Sequence, residues 1–375
     1  MSIELSPYDK CTGCLACVAA CPKGAISLEE GSLGFRYPKI HSEKCVECKK
    51  CMKSCHVISK VEKNSSLQTY RYQSSDELRM QSSSGGFIPL LIQNCYSKGY
   101  YISGVIFNQD FLGATYVVTR SEDLILKMRK SKYIEADTGE VFEQIKNLLN
   151  EGEKVLFVGL PCHVAALKAF LGGKTSSNLL TVDLICHGNA SPLYYEESLK
   201  SFCEKYGKSV EQIKEIDFRP KPESPGKKQF KICFQDTSVQ VSLMEFPYYY
   251  GFSQRYILRE SCYNCNYFSL QRCADITAGD STFSDSDLGE SIVVANTEAG
   301  LNVINTLNSG NDFKVLTETE YQVFKTRFSN KITPKLRKKI LQIKQYSKLE
   351  KTYLCSTYVP LKYKIKRIFM KLRRK

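Results

Sequence analysis

No stretch of this 375-residue chain approaches the eighteen or more consecutive apolar residues that a membrane span needs. The longest apolar run, 155–160, stops at Pro161 and reads as a buried strand. The opening MSIELSPYDK has no basic region followed by an apolar core, so no secretory signal is expected. Histidine is scarce, with four in the chain. Acid is nearly missing from the end: residues 325–375 hold 18 Lys and Arg against the single acid Glu350. The other 324 residues carry 35 Lys and Arg against 38 Asp and Glu, so the net +14 resides wholly in that basic stretch. With 42% apolar and 25% charged residues, the remainder has the composition of a soluble globular protein with room for two cores. The expected localisation is cytoplasmic.

Cysteine is the opposite case. There are seventeen, too tightly spaced in too long a chain for a disulfide scaffold, and the spacing points to metal. The first run is Cys11-x2-Cys14-x2-Cys17-x3-Cys21-Pro22, and the second is Cys45-x2-Cys48-x2-Cys51-x3-Cys55. Structural zinc uses separated ligand pairs, not triplets within seven residues. Two such runs are the pattern of a two-cluster ferredoxin, where each run lends its fourth cysteine to the other cluster. Cys11, Cys14, Cys17 and Cys55 are therefore expected to hold one [4Fe–4S] cluster, and Cys45, Cys48, Cys51 and Cys21 the second. His56 stands where proline usually follows the last cysteine, which alters the surroundings of the cluster without removing a ligand.

A second constellation lies farther on. Cys162 opens a helix directly after a strand, Cys186 ends a strand, Cys262-x2-Cys265 is a chelating pair, and Cys273 follows eight residues later. A third cluster and a zinc site both suit that pair-plus-two pattern. Cys95, Cys203, Cys233 and Cys355 read as buried structural cysteines. His56, His163 and His187 each follow a candidate ligand, where proton delivery, tuning of the ligand and plain structural roles are all open.

Periodicity places helices over 87–98, 141–150 and 163–170, strands over 101–107, 114–119, 154–158 and 179–184, and a hairpin of strands 229–234 and 238–243. Residues 220–228 read as a flexible loop. The alternation argues for α/β architecture with sites at strand ends. The expected organisation is a cysteine module over 1–60, a Ser-rich linker over 61–75, a body over 76–325 in two parts meeting near 150, and a basic helical tail over 326–375. In the tail Leu361, Ile365, Ile368 and Leu372 share one helical face amid Lys and Arg. That pattern suits an anionic membrane surface at the inner face of the cell membrane, an acidic partner, or a solvated tail. Nucleic acid is not expected, since no reader fold accompanies the charge.

The cysteine module together with SSSGGF (82–87), SKYIEADTGEVFEQIK (131–146), KVLFVGLPCHVAALKAFL (154–171), DLICHGNASP (183–192) and CYNCNYFSLQRCADITAGD (262–280) resembles the coenzyme F420 hydrogenase/dehydrogenase beta-subunit family. The resemblance extends to the members associated with bacterial surface polysaccharide biosynthesis. It implies an iron–sulfur flavoprotein oxidoreductase: an α+β ferredoxin-like module, then an α/β flavin-binding catalytic body. Cys162, Cys186, Cys262 and Cys265 would hold a third [4Fe–4S] cluster, with Cys273 in reserve. FAD would be bound by Ser84, Gly85, Gly86, Ser131, Lys132, Tyr133, Arg272 and Asp275, and Lys132, Asp280 and His187 would serve catalysis. Asp280 is expected in a turn with Gly279. Ser281, Thr282 and Phe283 follow it where relatives often place other aromatics, which reshapes the expected pocket. The implied partners are an external ferredoxin or redox subunit as electron source and an organic, deazaflavin-type or glycan-linked substrate. A non-catalytic electron relay within a larger complex is the alternative.

Overall fold

The computed structural model describes residues 3–173, 176–221, 229–284 and 286–328. The loop expected over 220–228 falls largely outside these residues, and so does the basic tail from residue 329 on, with Cys355.

The cysteine module is a β-hairpin, β1 (Ile26–Glu30) antiparallel to β2 (Arg36–Ile40), plus the one-turn helices Ala16–Ala19 and Lys50–Lys53. The doubled cysteine run is a doubled backbone. Gly13 and Glu47, each before the second cysteine of its run, have φ of 72° and 50°; Leu15 and Lys49, each just after it, have 54° and 59°. Alternating left-handed residues turn successive amides inward, the geometry that cradles sulfur and other anions.

The body is built on one nine-stranded sheet of order β14-β3-β13-β12-β8-β7-β4-β5-β6. Its strands are β3 (Gln68–Tyr72), β4 (Tyr101–Phe107), β5 (Ala114–Thr119), β6 (Ala136–Asp137), β7 (Val155–Gly159), β8 (Leu179–Leu184), β12 (Ile276–Asp280), β13 (Ser291–Ala295) and β14 (Phe313–Val315). The four central strands β12, β8, β7 and β4 run parallel. β7 and β8 are buried almost throughout, as their near-continuous Val, Leu and Phe runs require of strands covered on both faces. A second, antiparallel sheet joins β9 (Ile213–Asp217), β10 (Gln229–Phe234) and β11 (Ser238–Ser242). It packs Phe230 against Phe202 of the helix Pro192–Lys205, and both Phe218 and Phe230 against Phe246, which stacks on Phe230 at 4.2 Å.

Two organisational expectations change. The segment read as a linker over 61–75 contains β3, an interior strand flanked by β14 and β13 with Tyr70 and Tyr72 buried. The supposed junction near residue 150 divides nothing, because β4, β5 and β6 lie in one sheet with β7 and β8.

Candidate electron-transfer site

Three groups of residues meet at the carboxyl ends of the parallel strands, where open α/β sheets form their crevices. β7 runs out into Cys162, β8 into Cys186, and β12 ends on Asp280. Asp280 is thus the last strand residue, paired with Ser291, rather than part of a turn.

In the cysteine module the thiols sort into two sets. Burial pushes the Cys14 thiol up to about 12, and the neighbouring charges of Cys11 and Cys55 push the same way. Cys17 is raised by burial and then by Cys14, Cys11 and Cys55, whereas Cys51 is raised by burial with Cys21 and Cys45 as its charged neighbours. The fourth cysteine of each run therefore lies among the other run's triplet. Cys21, Cys45, Cys48 and Cys51 together line one open cleft. Buried thiols this close cannot ionise together without cationic compensation, which cluster iron supplies.

The second constellation converges likewise. Cys162 is driven well above its ordinary value by burial and then by Cys186, Cys265 and Cys262. Three of these sulfurs accept backbone N–H groups, from Gly188 to Cys186 (3.3 Å), Asn189 to Cys262 (3.2 Å) and Tyr267 to Cys265 (3.4 Å). Such donors favour the thiolate. Cys273 is buried nearby, but its charged neighbours are Lys168, Lys63, Asp183 and Arg272 rather than the other four thiols. Of the cysteines expected to be structural, Cys95 and Cys203 are buried and Cys233 is partly exposed.

The two constellations touch. Cys14 is among the charges felt by Cys162, and its carbonyl accepts a hydrogen bond from Thr138. His56 bridges them: Nε2 lies 2.9 Å from Thr12 Oγ1 and Nδ1 2.7 Å from the Tyr267 hydroxyl. Burial lowers its pKa to about 4, so the ring is neutral. His163 is buried against the Tyr116 hydroxyl at 3.0 Å and lowered to about 3 by burial. His187 is exposed beyond Cys186.

Arg259, three residues before Cys262, went unnoticed in the sequence. It is fully buried, donates to the carbonyls of Cys11 (2.9 Å) and Arg36 (2.6 Å), and pairs with Glu135 at 2.8 Å. Its guanidinium lies 4.2 Å from the centre of the Tyr37 ring. Gly13 allows this approach, since a Cβ there would sit 2.5 Å from the guanidinium. A charged residue one helical turn before a ligand pair was the available signal.

The third group is a cluster of cations with Asp280. Ser131 N–H donates to Ser83 Oγ (2.7 Å), joining the segments expected to bind FAD. Lys221 donates to the Ser84 carbonyl at 3.2 Å, and Arg219 donates to Asp280 at 2.6 Å and to the Tyr133 hydroxyl at 3.4 Å. Burial lowers Lys132 to about 8; burial together with Arg219 and Arg79 lowers Lys221 to about 8. Tyr133, Tyr249 and Phe252 form an aromatic wall. Gly86, with φ of 87°, opens the helix Phe87–Ser97, which no side chain caps. Gly85 serves packing: its Cβ would lie 2.3 Å from Ser291 N and 2.4 Å from the Tyr72 carbonyl oxygen. Arg219 lies beside, and Lys221 within, the stretch 220–228 read as flexible loop.

Two expected FAD contacts lie elsewhere. Both carboxylate oxygens of Asp275 are engaged, by Thr181 N and Oγ1 (2.8 and 2.6 Å) and by Thr297 Oγ1 (3.0 Å), so it pins β8 to the helix Glu298–Asn308. Arg272 is buried 3.8 Å from Asp183, beside Cys186 and Cys273 rather than in the cationic cluster. Both precede β12, at the end opposite Asp280, because five strand residues separate the two ends of the motif.

Comparison with known proteins agrees with this layout. Residues 10–58, spanning all eight cysteines of the two runs, match the 4Fe-4S dicluster domain. Residues 152–320 match the family described as the C terminus of the coenzyme F420 hydrogenase/dehydrogenase beta subunit. The F-subunit of the F(420)H(2) dehydrogenase of Methanosarcina mazei is 23% identical over 196 residues, 49% of this chain and 55% of that protein. An uncharacterised protein of Methanocaldococcus jannaschii is 25% identical over 200 residues, 45% of this chain and 54% of its own length. The chain spans about half the length of these curated relatives. A chain of the F420-reducing [NiFe] hydrogenase complex from Methanosarcina barkeri shares the fold, with a TM-score of 0.50 at 19% identity over 74% of this chain and 92% of that one. The class is an iron–sulfur electron-transfer protein with a two-cluster [4Fe–4S] domain. Within that class, residues 152–320 are similar to the coenzyme F420 hydrogenase/dehydrogenase beta-subunit family. Among the described residues no helix is long and apolar enough to cross a membrane.

Proposed function

We propose that this chain is an iron–sulfur flavoprotein that moves electrons between the two-cluster module and an organic substrate of deazaflavin type. The observation that carries the reading is the arrangement of the three groups: Cys14 lies within electrostatic reach of Cys162, and the Cys162 set shares its strand ends with Asp280 of the cationic group. Cys162, Cys186, Cys262 and Cys265 would hold a third [4Fe–4S] cluster. Ser84, Ser131, Lys132, Tyr133, Arg219, Lys221 and Asp280 would hold FAD.

The residues fit both groups. Four converging thiols, three of them accepting backbone N–H groups, suit a cluster. Crowded cations beside an uncapped helix start suit a diphosphate, and the Tyr133 wall offers a face to a flat ring. A flavin supplies exchange between one-electron carriers and two-electron substrates. The chain's own part is to orient Asp280 through Arg219, to hold positive charge at Lys132 and Lys221, and to seal the Cys162 set from water. The names of the relatives favour a deazaflavin coenzyme as substrate. The cationic cluster beside an uncapped helix start favours this enzyme over a flavin-free relay, which has no use for it.

Anaerobic purification tests the proposal. Three clusters predict about twelve iron atoms per chain, together with one releasable FAD. About eight iron atoms would remove the third cluster, and iron without flavin would leave the relay.

A further inference from the structure

The two thiol sets of the cysteine module face opposite ways. The Cys11, Cys14, Cys17 and Cys55 set is turned into the body, where Arg259 and Thr138 bind the backbone of Cys11 and Cys14. The Cys21, Cys45, Cys48 and Cys51 set is turned out: Cys48 is exposed, and Val46 beside it is 57% exposed. Lys23 and Lys49 line the cleft of this outer set, and Lys44, Lys50 and Lys53 stand on the same segment. All five lysines are exposed, and among the described residues none of them is in an ion pair. The ion pairs that the module does form, Arg36–Asp137, Lys39–Glu29 and His41–Glu43, involve other residues.

Five lysines against the exposed acids Glu43 and Glu47 leave an excess of positive charge around Val46, and such an excess attracts a surface of opposite sign over nanometre distances. An apolar centre with a charged rim is also the anatomy of a transient protein interface. We propose that this face is the docking surface for a small acidic one-electron carrier protein of the ferredoxin type. In the docked pair the carrier's reduced centre loses one electron and the cluster held by Cys21, Cys45, Cys48 and Cys51 gains it; no bond or proton moves. This rests on the two-cluster domain alone, so a failure of the flavin reading leaves it standing.

The full-length chain, purified anaerobically, is mixed in a stopped flow with a reduced acidic ferredoxin, and bleaching of its clusters is followed. Two variants of equal net charge are compared: Lys49→Glu with Lys53→Glu on the proposed face, and Lys98→Glu with Lys127→Glu on exposed helix ends of the body. The expected result is a second-order rate at least about fivefold lower for the first variant at about 0.02 M salt, with the difference vanishing at about 0.3 M. The second variant should stay near wild type, and both should keep wild-type iron content and reduction by dithionite. Equal slowing of both variants would mean that the overall charge steers the carrier, and no slowing would mean a merely solvated face. Either outcome overturns the proposal.

Discussion

A guanidinium with no exposed surface must find all its compensation inside the protein, and Arg259 finds it in Glu135, two carbonyls and two aromatic rings. Removing one partner of a buried pair strands the other, at a cost of roughly 3–5 kcal/mol. Arg259→Met should lower unfolding free energy by about that much in anaerobic urea titrations, and adding Glu135→Gln should recover part of it. The same scale governs the cationic cluster. Lys132 and Lys221 are lowered to about 8 from an ordinary 10.5, so each is charged below pH 8 and neutral well above it. An anion binds the charged forms; its affinity is therefore full below pH 8 and falls as pH rises through that value. Titration of flavin-depleted protein with FAD between pH 7 and 9.5 should show the decline, shallower in Lys221→Met. In the ligand-free chain the sign for stability is the reverse. The unfolded lysines keep their protons longer, so unfolding free energy should rise between pH 8 and 10.5. The cysteines were legible because metal ligation demands one residue type at fixed spacing. Arg259, Arg219 and Lys221 were not, because a charge with a buried partner and a solvated charge look alike until the partner, 124 residues away for Arg259, is in place.

At the scale of elements, apolar runs announced β4, β5, β7 and β8 within a residue of their observed ends. β3 escaped, since Gln-Thr-Tyr-Arg-Tyr after a Ser-rich stretch reads as polar. Its Arg71 is tolerated inside a sheet because Glu290 (2.9 Å) and Glu320 (2.6 Å) meet it from far along the chain. The two readings of this segment predict different behaviour. A linker would accept replacement of residues 68–72 by Gly and Ser, whereas an interior strand would not. The structure predicts that the replacement removes cooperative unfolding, as followed by circular dichroism, through loss of the Tyr72–Phe313 stack at 4.2 Å and of both strand pairings. β14, three residues long, carries too short a pattern to be read unaided.

For the molecule as a whole, one sheet crosses residue 152, where the family match begins, so the matched region is not a separable unit. Metal content is the whole-molecule test of how the sites divide. Under the proposed third cluster, Cys262→Ser should lower iron by about four atoms per chain and leave the two-cluster domain filled, whereas Cys48→Ser should spare the set around Cys162. The fold class could be read from the βα alternation, but the meeting of three sites at one edge depends on parallel strands distant in sequence.

Arg259 has one more consequence. Buried hydrogen bonds from its guanidinium to the Cys11 and Arg36 carbonyls hold module and body as one piece, so the path from Cys14 to Cys162 has no hinge to swing. Electron passage inside the chain should then be indifferent to solvent viscosity: glycerol or sucrose would slow the arrival of the carrier and leave the internal step at its aqueous rate.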